Sequence, residues 1–332
     1  MGTGPSRRDD ARYRAAETAL WEQFGLVPTE LWVEVADLGL KVRALVVGPD
    51  EGRPVVFVHG TPTAGGVWAP LVARLRGVRA VVVDRPGCAL SEPMDLTRLT
   101  PQSLRDVNAA WLGELVSALD APAVDVVGNS AGGMAAIMFA ASRPNLVRSL
   151  VLDGVPAVSG MRLPPAMRAA TMPWVARAVS RHTVTAADLR RSFRSMGHGR
   201  LFDSGGLSAP EIQWRTALST CTDTFVHELA LLAVAANWRG PRRAWVPGPR
   251  EVGALAMRSL WAVGDKDPFA NPERVRRWAR RAPHSEFTVL EGCGHQPWLD
   301  DPEGHARMLE QWWQAAGHTP RRSSPDSQAV PR

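Results

Sequence analysis

The chain has 332 residues, of which 45% are hydrophobic and 22% charged, a composition that supports a sizeable core and excludes a disordered chain. The length suits one large α/β domain that carries an insertion. The net charge of +6 comes almost entirely from arginine. Because no RNA-binding motif, zinc spacing or recognition helix accompanies the basic runs, we expect no nucleic-acid partner.

The sequence also bears on cellular location. No apolar run approaches the roughly 18 residues of a membrane span, and residues 1–20 are too charged to hold the apolar core of a secretory signal. The three cysteines, Cys88, Cys221 and Cys293, are too few for a disulfide framework. We therefore expect a cytoplasmic protein without a membrane span.

The first half of the chain predicts an α/β core. Residues 1–30 are predicted to be a helical lead-in, and residues 31–153 the first part of the core. A β-hairpin opens this part, and short unbroken apolar runs follow it, each typical of a strand buried on both faces of a parallel sheet. The hairpin strands are expected at 31–35 and 40–47, the buried strands at 55–58, 80–83, 123–127 and 147–152, and the helices at 101–119 and 131–141. The sequence therefore predicts a doubly wound, mostly parallel sheet with helices on both faces.

The alternation of strand and helix stops after Asp153. Residues 154–256 show helical patterns and no convincing strand, which predicts an all-helical insertion. Its helices are expected at 165–180, 185–196, 208–220 and 223–237, the third beginning with a capping box of Ser208 and Glu211. Strands resume at 259–263 and 286–290, so residues 257–316 are predicted to complete the core. Residues 317–332 are rich in Ser, Pro and Arg and are predicted to be a disordered tail.

The sequence Gly128-Asn129-Ser130-Ala131-Gly132 lies between a predicted buried strand and a predicted helix. In that context G-x-S-x-G indicates a nucleophile elbow, a turn so tight that the residues two before and two after the serine must be small. The turn exposes the serine oxygen above the sheet. Ser130 is therefore the candidate nucleophile.

A serine hydroxyl needs a base at neutral pH, and histidine is the usual one. His295 follows the last predicted strand, and loops at the carboxyl ends of parallel strands gather at the edge where Ser130 lies. His59 is interpreted as structural, holding its own loop. The other histidines are assigned to helices or exposed connections without a role: His182, His198, His227, His284, His305 and His318.

The histidine in turn needs an acceptor that fixes its tautomer. Asp267 follows the predicted strand at 259–263 and is the preferred candidate, with Asp153 and then Asp265 as the alternatives. The order serine, acid, histidine along the chain is that of the α/β-hydrolase arrangement. The oxyanion of the transition state is expected to be bound by the backbone N–H groups of Ala131 and Thr61.

These motifs resemble those of the α/β-hydrolase superfamily with a helical lid. The resemblance covers about residues 30–315 and rests on five motifs: His59-Gly60-Thr61-Pro62, Asp84-Arg85-Pro86-Gly87-Cys88-Ala89-Leu90-Ser91, Gly128 to Gly133, Gly264 to Asp267, and Gly294-His295. In that superfamily the lid lies between the sixth and seventh strands, where the insertion falls here. The resemblance thus implies that residues 154–256 are a lid.

Departures from subfamily patterns narrow the chemistry. Epoxide hydrolases and haloalkane dehalogenases share the lid layout but use an aspartate nucleophile, where this chain has Ser130. Epoxide hydrolases also need lid tyrosines, and the only tyrosine here is Tyr13. The elbow is similar to that of carbon–carbon bond hydrolases, which usually have a tryptophan after the catalytic histidine where this chain has Gln296. Arg190 or Arg191 is a candidate to bind the anionic group of such substrates.

The function expected from the sequence is a serine hydrolase that cleaves a small or medium apolar ester, thioester or lactone through an acyl-enzyme. Carbon–carbon bond cleavage or acyl transfer by the same triad is the alternative, and a non-catalytic small-molecule binding module is a further one. No metal cluster or phosphate-binding loop is present in the sequence, so no metal or cofactor is expected. The partner expected is a small-molecule substrate, and the oligomeric state is left open.

Overall fold

A computed structural model of the protein describes residues 8–316. The strands in this part of the chain are β1 (Thr29–Val35), β2 (Leu40–Val47), β3 (Arg53–Val58), β4 (Val78–Val83), β5 (Val124–Gly128), β6 (Val147–Asp153), β7 (Ala236–Asn237), β8 (Gly240–Pro241), β9 (Arg258–Gly264) and β10 (Ser285–Leu290). Eight of them form one sheet in the order β1-β2-β4-β3-β5-β6-β9-β10. The predicted strands are all present, with ends that differ by at most two residues.

The sheet is mostly parallel, as the unbroken apolar runs predict. Strand β2 pairs antiparallel with both β1 and β4, and the five remaining pairs are parallel. The hairpin between β1 and β2 turns at Gly39, whose φ of 59° is the left-handed conformation that glycine adopts readily. All parallel strands therefore end at one edge, where their loops can form a site.

Helices cover both faces of the sheet, since alternate residues of each buried strand point to opposite sides. Val55 and Phe57 of β3 belong to one apolar cluster, and Val56 and Val58 belong to the other. The helices are α1 (Asp10–Glu22), α2 (Ala69–Val72), α3 (Pro101–Ala118), α4 (Ala131–Ser142), α5 (Pro165–Ala170), α6 (Pro173–Ser180), α7 (Ala186–Ser195), α8 (Gly199–Asp203), α9 (Ala209–Cys221), α10 (Thr224–Ala235), α11 (Pro249–Gly253), α12 (Pro272–Ala279) and α13 (Pro302–Ala316). Residues of α1, α2 and α13 join the cluster of Val55, and residues of α3 and α4 join that of Val56.

The segment between β6 and β9, here called the inserted segment (residues 154–257), holds helices α5 to α11. Its third predicted helix begins as expected, because Ser208 and Glu211 form the capping box of α9. The expectation that the segment is all helical is wrong at β7 and β8, which pair antiparallel. The predicted helix at 165–180 is also wrong, since Met172 is extended ahead of Pro173 and α5 and α6 are separate.

The N-terminal lead-in is part of the folded core. Helix α1 buries Tyr13, Leu20 and Trp21 in the same cluster as Val55. No helix within residues 8–316 is both long and apolar enough to cross a membrane. The predicted tail at 317–332 lies outside the described residues.

Candidate active site

Ser130 occupies the turn between β5 and α4, as the elbow motif predicts. Its backbone has φ 53° and ψ −115°, a region that a residue with a side chain rarely adopts. Such a conformation costs about 1 to 3 kcal/mol and persists only where the surroundings hold it. The side chain is largely buried, with 8% of Ser130 exposed. The strain is therefore stored at the candidate nucleophile.

Two glycines allow this turn. A Cβ on Gly128 would lie 2.8 Å from the carbonyl oxygen of Gly132, and one on Gly132 would overlap the carbonyl oxygen of Val58. Both contacts are shorter than real Cβ atoms show. The small residues of the motif are thus required by backbone packing.

Asn129 connects the elbow to two other loops. Its side-chain Nδ2 donates to the carbonyl oxygens of Asp153 (2.6 Å) and His295 (2.9 Å). Asp153 ends β6 and His295 lies in the loop after β10. The amide of Asn129 therefore connects the turn of Ser130 to the loop of His295. The sequence predicted Asn129 as an elbow residue without this bridging role.

His295 and Asp267 form a buried pair. Nδ1 of His295 lies 2.7 Å from Oδ2 of Asp267, and the two residues are 4% and 6% exposed. The carboxylate also accepts the backbone N–H groups of Val155 (3.0 Å) and Phe269 (2.9 Å). The Phe269 ring stacks on the imidazole at 4.0 Å between ring centroids. An imidazole that uses Nδ1 in this way leaves Nε2 as its second nitrogen for proton transfer.

Within residues 8–316 the Ser130 hydroxyl forms no hydrogen bond. Hydrogen bonds between nucleophile and base are often long without substrate and shorten when it binds. Asn129 holds the two loops together, so the two side chains lie on adjoining turns.

The other two candidate acids have different partners. Oδ2 of Asp153 lies 2.8 Å from Nε2 of His305, another buried histidine. Asp265 accepts the backbone N–H of Gly292 at 2.7 Å and pairs with Lys266 at 2.8 Å. Neither carboxylate contacts His295, so the geometry favours Asp267 as its partner.

The loop after β3 lies against the elbow. A Cβ on Gly60 would be 3.0 Å from Cβ of Ser130, which places Thr61 beside the nucleophile turn. His59 donates through Nδ1 to Gly60 O (2.8 Å) and accepts the Arg85 N–H at Nε2 (3.0 Å). Burial, with the nearby Arg85 charge, holds the pKa of His59 well below its ordinary value. A neutral, fully bonded His59 agrees with the structural role expected for it.

A carboxylate of the inserted segment, which sequence reasoning missed, holds this loop. Glu228 of α10 accepts hydrogen bonds from Thr61 Oγ1 and from Arg85 Nη2. Arg85 also donates to the carbonyl oxygens of His59 (2.9 Å) and Gly60 (3.2 Å). Burial lowers the pKa of Arg85, but the Glu228 charge and hydrogen bond, together with the nearby Cys88, raise it above its ordinary value. Arg85 lies in the motif Asp84 to Ser91, but a single acidic residue in a helix, such as Glu228, gives no sign in the sequence of what it contacts.

The arginines considered for an anionic substrate group are differently placed. Arg190 and Arg191 are exposed, and Arg191 lies 3.8 Å from Asp188. Arg215 of α9, which sequence reasoning did not consider, is only 8% exposed and stacks on Phe193. In the described part of the chain, its Nε has no hydrogen-bond partner and no ion pair includes it. Burial lowers the pKa of Arg215 to about 10.

Neither thiol near the site is an activated nucleophile. Cys88 is fully buried, and burial raises its pKa well above the ordinary value. Burial likewise raises the pKa of Cys293 to about 11. Both thiols therefore stay protonated at neutral pH. Across residues 8–316 no group of three or more His, Cys, Asp or Glu side chains is arranged to hold a metal.

The sheet order, the strained Ser130 turn and the buried Asp267–His295 pair define the class of protein. A model of the alpha/beta hydrolase family matches residues 55–308 of the chain. Because this match covers well over half of the chain, the protein belongs to the α/β hydrolase family.

The chain is similar to two kinds of curated protein. A pimeloyl-[acyl-carrier protein] methyl ester esterase of Xanthomonas campestris is 31% identical over 78% of this chain and 92% of its own. A 2-hydroxy-6-oxononadienedioate/2-hydroxy-6-oxononatrienedioate hydrolase of Paraburkholderia xenovorans is 27% identical over 77% and 84%. Among solved structures, a carboxylesterase from Bacillus subtilis has a TM-score of 0.68 and 16% identity over 92% of this chain and 98% of its own. At 16% identity, the similarity to this carboxylesterase shows a shared fold only.

Proposed function

We propose that the protein is a serine hydrolase that cleaves a small or medium apolar ester, thioester or lactone through an acyl-enzyme. The observation that carries the proposal is the buried Asp267–His295 pair, tied by Asn129 to the strained Ser130 turn. Such strain is common at catalytic residues. The similarity to a methyl ester esterase supports ester chemistry.

In this mechanism Ser130 Oγ attacks the substrate carbonyl while Nε2 of His295 takes its proton. Asp267 holds the Nδ1–H tautomer and stabilises the imidazolium. The N–H of Ala131, in the first turn of α4 where helices lack internal acceptors, binds the oxyanion together with the N–H of Thr61. His295 then protonates the leaving group. Water, activated by the same histidine, releases the acid, so protein groups and water suffice.

The inserted segment is the lid in this proposal. Glu228 of α10 contacts the proposed oxyanion loop at Thr61. The turn between α7 and α8 contacts the His295 loop, where Met196 O accepts the His295 N–H at 3.0 Å. A lid with these contacts would admit a small molecule to a site from which bulk water is largely excluded.

The test is covalent labelling by a fluorophosphonate, which reacts with an activated serine. We expect wild type to be labelled and Ser130→Ala not to be, with Ser142→Ala on α4 as the matched control that retains labelling. Intact-mass measurement and peptide mapping would identify the site. Equal labelling of wild type and Ser130→Ala, or none in either, would count against an activated Ser130 and favour a binding module.

Arg215 favours a second candidate, hydrolysis of a carbon–carbon bond in a substrate with a carboxylate. A buried cation without an ion-pair partner is costly, and a bound anion would offset that cost. Relatives that hydrolyse 2-hydroxy-6-oxononadienedioate act on dianionic compounds, which supports this substrate class. Faster turnover of a vinylogous ring-fission product than of aryl esters would favour it over ester hydrolysis.

Replacing Arg215 separates the two substrate classes. We expect Arg215→Met to lower kcat/KM for a carboxylate-bearing ester about 10- to 100-fold, with little effect on a neutral ester of the same shape. Arg190→Met is the control, because Arg190 is exposed and also lies over a ring, that of Phe202. Equal losses on both esters in Arg215→Met would show that Arg215 does not recognise the anion.

A further inference from the structure

A second buried histidine–aspartate pair lies beside the first. His198, in the turn between α7 and α8, is fully buried, and its Nδ1 lies 2.7 Å from Oδ2 of Asp300. Oδ1 of the same carboxylate accepts the Leu201 N–H at 3.1 Å. Sequence reasoning assigned His198 no role. The pair joins the inserted segment to the turn that follows His295.

Three successive backbone N–H groups, those of residues 294–296, donate to Asp300, to His198 and to the turn that carries His198. Oδ2 of Asp300 accepts from Gly294 at 2.8 Å, Met196 O accepts from His295 at 3.0 Å, and Nε2 of His198 accepts from Gln296 at 3.3 Å. The backbone on both sides of the imidazole is therefore held by Met196 and His198 of the inserted segment and by Asp300 of the following turn.

The contacts define the protonation of His198. Nδ1 faces a carboxylate and must donate, whereas Nε2 faces the Gln296 N–H and must accept. Only neutral imidazole with its proton on Nδ1 does both. Asp300 selects that tautomer, as a carboxylate does for histidines in catalytic and metal sites.

We propose that His198 and Asp300 are positioning residues that hold His295 in the orientation required for proton transfer. The inference rests on the proposed function, in which His295 is the base. An imidazole misplaced by about 1 Å costs on the order of a hundredfold in rate, even when the substitution that displaces it lies away from the reacting atoms. The turn of His198 packs directly against the loop of His295, because a Cβ on Gly294 would lie 2.5 Å from Met196 O and 2.9 Å from the backbone nitrogen of His198.

Three variants test the proposal. His198→Phe keeps a ring beside Phe193, whose centroid lies 5.4 Å from the imidazole, but removes both nitrogens. His198→Gln restores one donor and one acceptor at the end of the side chain. Asp300→Asn removes the carboxylate that selects the tautomer. His182→Phe is the control, since His182 forms an exposed pair with Asp188 on the same segment.

The measurements are kcat and KM on an aryl ester, together with Tm. The concentration of active sites is the amount of fluorophosphonate bound once labelling is complete, and kcat is calculated from that concentration. We expect His198→Phe and Asp300→Asn to lower kcat about 10- to 100-fold with KM nearly unchanged, and His198→Gln to recover most of the loss. His182→Phe should match wild type. A purely structural role would lower Tm and the number of active sites, but not kcat per site.

Wild-type kcat per active site in His198→Phe would overturn the proposal. If His198→Phe does not fold, Asp300→Asn decides, and wild-type kcat per site in that variant would equally overturn it. A wild-type protein that neither turns over esters nor labels at Ser130 would instead contradict the proposed function. The two failures are therefore distinguishable.

Discussion

Replacing His295 with Gln is expected to lower kcat for ester hydrolysis by about a hundred-thousandfold to a millionfold, the scale seen when the base of a serine hydrolase is removed. The amide cannot accept the Ser130 proton or return it to the leaving group. Stopped assays with an activated aryl ester, at high enzyme concentration, would measure the residual rate.

His305→Gln is the matched control. His305 is also buried and paired with a carboxylate, that of Asp153, so its loss perturbs folding to a similar degree. We expect kcat per active site to stay within a few-fold of wild type. If His305→Gln were as inactive as His295→Gln, the choice of base would be wrong.

Asp267→Asn is expected to lower kcat about ten-thousandfold, with a smaller effect on KM. An amide at this position presents an N–H₂ group to Nδ1 of His295, which favours the tautomer with its proton on Nε2. In that tautomer the histidine cannot take the serine proton. The same N–H₂ group also faces the Val155 N–H, so a lower Tm is expected as well, and kcat is therefore counted per active site.

Asp153→Asn and Asp265→Asn are the controls for the acid. Neither carboxylate contacts His295: Asp153 pairs with His305, and Asp265 pairs with Lys266. Both variants should keep kcat within about tenfold of wild type, since neither removes the acceptor of Nδ1. An active Asp267→Asn with an inactive Asp153→Asn would transfer the role to Asp153.

Local patterns predicted the core strands and the elbow well, for a physical reason. A strand buried on both faces needs an unbroken apolar run, so residues 55–58 and 147–152 could be identified without knowing their neighbours. The elbow requires a small residue at Gly128 because the backbone of Gly132 and Gly133 would collide with a larger one, and at Gly132 because β3 passes close by at Val58. The apolar run and the constraint on Gly128 act within a few residues of chain, which is why local patterns reveal them.

The errors in the inserted segment have two different causes. The break ahead of Pro173 had a signal in the sequence, because a residue before proline avoids the helical conformation. The hairpin of β7 and β8 had no usable signal, because strands of two residues are too short to show any alternation. Pairing of such short segments depends on what packs around them.

The amino-acid sequence by itself determined the sheet, the turn that carries Ser130 and the residues from which a triad could be built, since these depend on burial and backbone fit at short range. Only the tertiary structure decided that Asp267, and neither Asp153 nor Asp265, accepts from His295. It alone showed that Glu228 accepts a hydrogen bond from Thr61, and that His198 accepts one from Gln296 in the loop of His295. Hydrogen bonds between residues up to 167 positions apart leave no local pattern in the sequence. The residues around each partner fit its own helix or turn, and nothing in them depends on the distant partner.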